Sequence, residues 1–209
     1  MKNGLIISGF YIIGLLFLTF GISMMILANL GAGPWDALYV VMADELGLTV
    51  GSWVFIVGLL LILINSFLLK KTPDYLASIT IVLIGLFIDV WLEIIFPNLV
   101  VALLIPRLIM LIGGIFSIAV GVSFYLQSEF ARNPIDNLMM AFHKLTGRSL
   151  AFSKTFLEVM VMVIAFIFGG PIGFGTILVA LIIGPLIQMV YKPVTKFRCR
   201  ICHENLVQN

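Results

Sequence analysis

The chain predicts an all-helical membrane protein of six transmembrane helices, arranged as two inverted three-helix repeats, each with a short re-entrant or interfacial helix. Composition is the first ground for this: 62% hydrophobic and 11% charged residues over 209 positions, too apolar for a water-facing surface, with runs longer than the ~18 residues of a spanning helix. The second is an internal match at an offset of 100 residues. Gly14, Gly21, Ser23, Pro34, Asp36, Leu38 and Gly47 fall on Gly114, Gly121, Ser123, Pro134, Asp136, Leu138 and Gly147, and a fixed Gly, Ser, Pro, Asp, Gly series is not a product of apolar composition. The third is the distribution of basic residues along the chain.

Apolar runs set the spans at about 4–28, 50–69, 74–96, 107–127, 150–168 and 172–191. The first run is longer than the usual 7–15-residue core of a signal peptide and has an internal counterpart at 107–127, so both are expected to be retained spans. Gly14 and Gly21 share one helix face, and Gly113, Ser117 and Gly121 recur at every fourth position. These small-residue faces are expected to meet other helices closely.

Two shorter stretches, 34–46 and 134–146, reach only ~20 Å at 1.5 Å per residue and fall short of a ~30 Å hydrocarbon core. Pro34 and Pro134 suit the first helical position, where the missing N–H costs nothing, and Asp36 and Asp136 suit the positive helix start. Gly47 and Gly147 suit helix stops, and Thr49 and Ser149 suit caps of the next span. Two placements stay open: an amphipathic helix in the interface, or a re-entrant helix whose irregular approach lines a cavity.

Three crossings per copy is an odd number, so the second copy enters the bilayer reversed. The repeats are residues 1–100 and 101–193, followed by a basic tail at 194–209, all within a single transmembrane domain. With both termini cytoplasmic, Lys2, Lys70, Lys71, Arg132, Lys144, Arg148, Lys154, Lys192, Lys196, Arg198 and Arg200 collect inside and Arg107 alone lies outside, as the positive-inside rule requires.

The approaches to the short helices are the first candidates for chemistry. They read Gly31, Ala32, Gly33, Pro34, Trp35, Asp36 in one copy and Ala131, Arg132, Asn133, Pro134, Ile135, Asp136 in the other. Ionisable residues within spans come next, because each costs about 2.5 kcal/mol or more at the bilayer centre. Glu158 lies midway along the fifth span; Asp89, with Glu93 one turn on, lies in the outward half of the third. Glu158 and Asp89 read as proton or cation ligands or as satisfied interhelical partners. Arg132 reads as a partner for Asp136, Glu158 or an anionic cargo, or as a positive-inside residue, and Asn65 as an interhelical hydrogen bond.

The Gly-x-Gly-Pro-Trp-Asp run, the Gly-Leu-Thr-x-Gly that follows it and Gly-Phe-Gly-Thr at 173–176 resemble the YczE/YyaS/YitT group of bacterial integral membrane proteins, most closely the YczE branch. The resemblance covers essentially the whole chain and implies a bacterial inner-membrane protein of transporter-like kind. The second copy departs from the motif at Asn133 and Ile135, and the soluble C-terminal domain of the YitT branch has no counterpart here.

Other chemistries find no footing. There is no Walker run, H-E-x-x-H or G-x-S-x-G context, and a net charge of +2 gives no nucleic-acid footprint. Cys199, Cys202 and His203 spell C-x-x-C-H, but on a cytoplasmic tail two thiols read as a reduced pair, neither a haem attachment nor a metal site. The expectation is a non-enzymatic secondary transporter or exporter in the bacterial plasma membrane, without cofactor. Its partners are the lipid bilayer, a small-molecule substrate and protons or a cation, and a homo-oligomer is compatible with it. Rival expectations are a passive channel and a scaffold for another membrane or biosynthetic system.

Overall fold

A computed structural model describes residues 2–202 apart from Glu129 and Arg132. Its helices are α1 (Lys2–Ala28), α2 (Pro34–Leu46), α3 (Val50–Leu69), α4 (Tyr75–Asp89), α5 (Leu104–Gln127), α6 (Pro134–Thr146), α7 (Leu150–Ile167) and α8 (Phe174–Cys202). A π-helical turn at Val90–Ile95 extends α4. Six helices are long and apolar enough to cross a membrane, and α2 and α6, at 13 residues each, are not among them. Large apolar side chains such as Phe67 and Val100 point outward, as lipid requires and water would not tolerate.

Local signals explain the boundaries. Proline opens α2 and α6, and Gly147 closes α6 in the left-handed conformation with its N–H on the His143 carbonyl. Thr49 accepts from the Ser52 amide, Asp74 from Ala77 and Ser149 from Phe152, so α3, α4 and α7 each start on a side-chain cap. The last helix differs from expectation. It continues through Pro185 and Pro193 to Cys202, so part of the stretch expected as tail is helical and docked: Val194 is buried and the Arg198 guanidinium donates to the Gln127 carbonyl.

Helices α1 and α5 form the centre of the bundle. A Cβ on Gly21 would stand 2.5 Å from the Gly114 carbonyl oxygen, and one on Gly121 would stand 2.3 Å from the Leu18 amide nitrogen. Gly14 likewise faces Gly121 and Tyr125. The two helices are therefore antiparallel, in near backbone contact, with the Ser117 hydroxyl donating across the seam to the Phe17 carbonyl. Gly113, expected on this face, has open space around it; Gly114 takes the place, so the contact glycines repeat every seven residues in both helices.

Around this centre α4 packs on α1 and α8 on α5, while α2 crosses to α7 and α6 crosses to α3. Helices α3 and α4 touch backbone to backbone, a Cβ on Gly51 falling 2.1 Å from the Gly85 carbonyl oxygen. Their counterparts α7 and α8 do not pack along each other among the described residues.

Candidate functional site

Each irregular approach to a short helix is clamped by a distant part of the chain. The Ala32 amide donates to the Pro171 carbonyl at 3.0 Å and the Gly175 amide to the Leu30 carbonyl at 2.8 Å. The Thr176 hydroxyl closes the clamp on the Ala32 carbonyl at 2.7 Å. Gly31 has φ +113°, and a Cβ there would lie 2.8 Å from the Gly173 amide nitrogen, so glycine is required on both conformational and steric grounds. Gly31–Gly33 and Gly-Phe-Gly-Thr at 173–176, far apart in sequence, are thus two halves of one contact.

The second approach is held by side chains. The Tyr11 hydroxyl donates to Thr80 Oγ1 at 2.8 Å, and the Thr80 and Tyr125 hydroxyls donate to the Ala131 carbonyl at 3.3 and 3.1 Å. The Asn133 amide then donates to the Tyr125 hydroxyl at 2.9 Å. Sequence patterning singled out none of Tyr11, Thr80 and Tyr125, because a hydroxyl within an apolar span carries no spacing signature; Ala131, Asn133 and Pro134, the residues they serve, do.

Both helix starts open on one internal cavity of about 80 Å³. Asp36 and Tyr39 of α2 and Asn133 and Ile135 of α6 line it, with Leu18, Val54, Gly58 and Ile84 among the apolar wall. Leu18, Gly58 and Ile84 lie near the middles of their helices, which puts the starts of α2 and α6 at the middle of the bundle and away from its ends.

The two starts are built differently. At α2 the Asp36 carboxylate folds back over Gly33, so close that a Cβ on Gly33 would stand 2.6 Å from Asp36 Oδ2. At α6 the cap is Asn133, whose Oδ1 accepts from the Ile135 amide at 3.1 Å. With that end satisfied by an amide, Asp136 is exposed and does not line the cavity. Asp36 is the one carboxylate on the cavity wall among the described residues, placed where the N-terminal dipole of α2 favours negative charge. Trp35, the preceding residue, packs into the core and does not line this cavity; its indole N–H is buried with no acceptor among the described residues.

Residues 8–192 match the model of a family of unknown function, DUF6198. The chain belongs to this family. It is 38% identical to the uncharacterized protein YyaS of Bacillus subtilis over 90% of this chain and 92% of that one. It is 35% identical to the uncharacterized membrane protein YczE of the same organism, over 90% and 87%. An uncharacterized protein of Haemophilus influenzae is 27% identical over 80% and 75%. No solved structure matches. The resemblance to the YczE/YyaS group therefore holds, and with six apolar helices the chain is an integral membrane protein.

Asp89 and Glu158 of this DUF6198 member stand apart from the cavity. Asp89 accepts from the Thr49 hydroxyl at 2.6 Å and the Gly51 amide at 2.8 Å, so its carboxylate caps α3 and ties it to the end of α4. Glu158 lies 3.8 Å from Lys154 one turn earlier on α7, with side chains 33% and 53% exposed, and does not border this cavity. Arg132 lies outside the described residues, as does His203; the Cys199 thiol is free. Asn65 donates from Nδ2 to the Pro134 carbonyl at 2.8 Å, the interhelical bond expected of it, and bears on the α6 start directly.

Proposed function

We propose that this protein is a secondary transporter or exporter of a small molecule, working without enzymatic chemistry by alternating access about two inverted repeats. The observation that carries this is the shared cavity: two Pro-initiated half-helices, from opposite halves of the chain, begin at one small space in the middle of the bundle. Discontinuous helices whose starts meet at the midplane are a recurrent way to hold a solute where each side of the membrane reaches it in turn.

The seam between α1 and α5 supports the inverted repeat. Shifting each residue to its counterpart at the 100-residue offset turns the Gly14–Gly121 contact into Gly114–Gly21, which is also a contact. A two-fold axis in the membrane plane would exchange these pairs. The clamps place both half-helix starts where the halves meet, since residues 30–32 are bonded to 171–176, and residues 131–134 to Asn65 and Thr80 as well as to Tyr125 of their own half. Basic residues at one face favour the plasma membrane with both termini cytoplasmic. Asp36 is assigned the proton or cation, since no other carboxylate borders the described cavity.

Proteoliposomes filled with a bacterial metabolite extract test this. The wild-type protein under an imposed pH gradient should deplete at least one solute, measured by mass spectrometry, about tenfold faster than empty vesicles, and Asp36→Asn should lose the response to the gradient. Loss that does not saturate and ignores the gradient would establish a passive channel instead. No solute movement, with activity of a partner system depending on the cytoplasmic loops, would establish a scaffold.

A further inference from the structure

A second, larger cavity lies on the other side of the α6 start, and it differs in character from the first. It measures about 310 Å³, near the lower bound for sites that take small metabolites, and its polar lining comprises Asn65, Lys71, Thr72, Asp74, Asn137 and Lys144 with Ser66. The elements that bring these together are the end of α3, the α3–α4 loop and the outward-running turns of α6. It sits at the end of the molecule that gathers Lys70, Lys71 and Lys144.

Asn65 makes this a built site. The residue is 7% exposed, its Nδ2 is committed to the Pro134 carbonyl, and its Oδ1 is buried without a partner. The bond to a carbonyl fixes the amide orientation, because a reversed amide would set oxygen against oxygen; the free atom is an acceptor. A buried acceptor left without a donor costs about 1–3 kcal/mol, which a ligand N–H or O–H recovers.

The charges select the rest of the ligand. Lys71 and Lys144 have no carboxylate within 4.0 Å among the described residues, where the one ion pair is Lys154–Glu158. Asp74, the one carboxylate on this wall, caps α4 by accepting from the Ala77 amide at 3.2 Å, and the two lysines outnumber its charge. Lys71 is set over the cavity by a double tether: its amide donates to the Ser66 carbonyl at 3.1 Å and its carbonyl accepts from the Ser66 hydroxyl. Two ammonium groups and one unfilled acceptor fit an anion that also carries a hydrogen-bond donor.

We propose that the cavity bounded by Asn65, Lys71, Asn137 and Lys144 binds a small hydroxylated anion, a phosphate or carboxylate with a free hydroxyl, the anionic group on the lysines and the hydroxyl on Asn65 Oδ1. Such chemistry is offered both by soluble phosphorylated polyols and by the phosphoglycerol headgroup of an anionic lipid. A role as the inner mouth of a transport path rests on the function proposed above; the binding itself does not, and is measured without flux.

The test uses the full chain in detergent with three probes: radiolabelled glycerol 3-phosphate, sulfate as an anion with no donor, and dioctanoyl phosphatidylglycerol as a competitor. Glycerol 3-phosphate should bind saturably, sulfate about tenfold or more weakly, and Lys71→Gln/Lys144→Gln, at two exposed positions, should weaken glycerol 3-phosphate about tenfold while the protein elutes as wild type. Competition by the short-chain lipid assigns the site to a headgroup, and its failure to compete assigns it to a soluble anion; either outcome upholds the site. No binding by wild type, equal binding by the double variant, or sulfate binding as tightly as glycerol 3-phosphate would overturn it.

Discussion

Gly33 and Asp36 act as one unit, and a single methyl group separates them. Gly33 has φ −59°, a conformation open to any residue, so its glycine is required only because Asp36 Oδ2 occupies the Cβ position. The obstructing atom is the mobile end of a side chain, so Gly33→Ala should move the carboxylate and leave the backbone in place. Thermal unfolding should shift by no more than about 1 kcal/mol. Flux should fall about tenfold or more, as in Asp36→Asn, since the displaced carboxylate no longer faces the cavity. A Gly33→Ala variant with full flux would detach Asp36 from the mechanism. Asp89 gives the opposite pattern: Asp89→Asn weakens two charge-assisted bonds to the start of α3, which should cost about 1–3 kcal/mol in thermal unfolding while flux per folded molecule is retained. From sequence these two aspartates look alike, each a carboxylate near a glycine in an apolar setting. What separates them is which helix start each one meets, and that is a tertiary fact absent from local spacing.

At the scale of elements, the bounds of α2 and α6 are legible because proline, glycine and cap residues act within a few positions. Their depth is not legible, since an apolar stripe serves a lipid interface and a protein interior equally well. The clamp between Gly31–Gly33 and residues 173–176 is legible only as two separate glycine-rich motifs, because a contact across most of the chain has no periodicity. The seam of α1 and α5 shows the same limit. Fourfold spacing nominates Gly113 with Ser117 and Gly121, yet Gly113 has nothing within 4 Å and Gly114 meets Gly21. Substitution separates the two faces. Gly21→Ala and Gly121→Ala each drive a methyl group into backbone atoms of the partner helix, which cannot yield locally, and should destabilise the protein by about 2–3 kcal/mol in thermal unfolding. Gly113→Ala should be neutral or slightly stabilising, since it only improves helix propensity. Equal effects at Gly113 and Gly121 would rule out the antiparallel seam.

At the scale of the whole molecule, the packing of α2 on α3 and α7 has a counterpart at the 100-residue offset in that of α6 on α7 and α3, whereas the packing of α3 on α4 is not matched by α7 along α8 among the described residues. Gly58 of α3 is sealed by Ile81 of α4, and its counterpart at the 100-residue offset is Glu158, on a helix that does not pack along α8. Val54, buried in the first half, corresponds to Lys154. At these offset positions α7 carries an ion pair on an unsealed face where α3 carries an apolar seam, and a charged pair costs far less beside water than beside lipid. A water-filled cleft between α7 and α8, the route by which alternating access would expose the bundle interior, predicts a specific chemical reactivity. Maleimides react with the thiolate, which forms in water and not in hydrocarbon. With Cys199 and Cys202 changed to Ser, Glu158→Cys in membrane vesicles should be labelled about tenfold faster than Leu63→Cys, a position 59% exposed near the middle of α3. Labelling at the same slow rate at both positions would mean that α7 meets lipid along this face, and the access route would have to be sought between α2 and α7 instead.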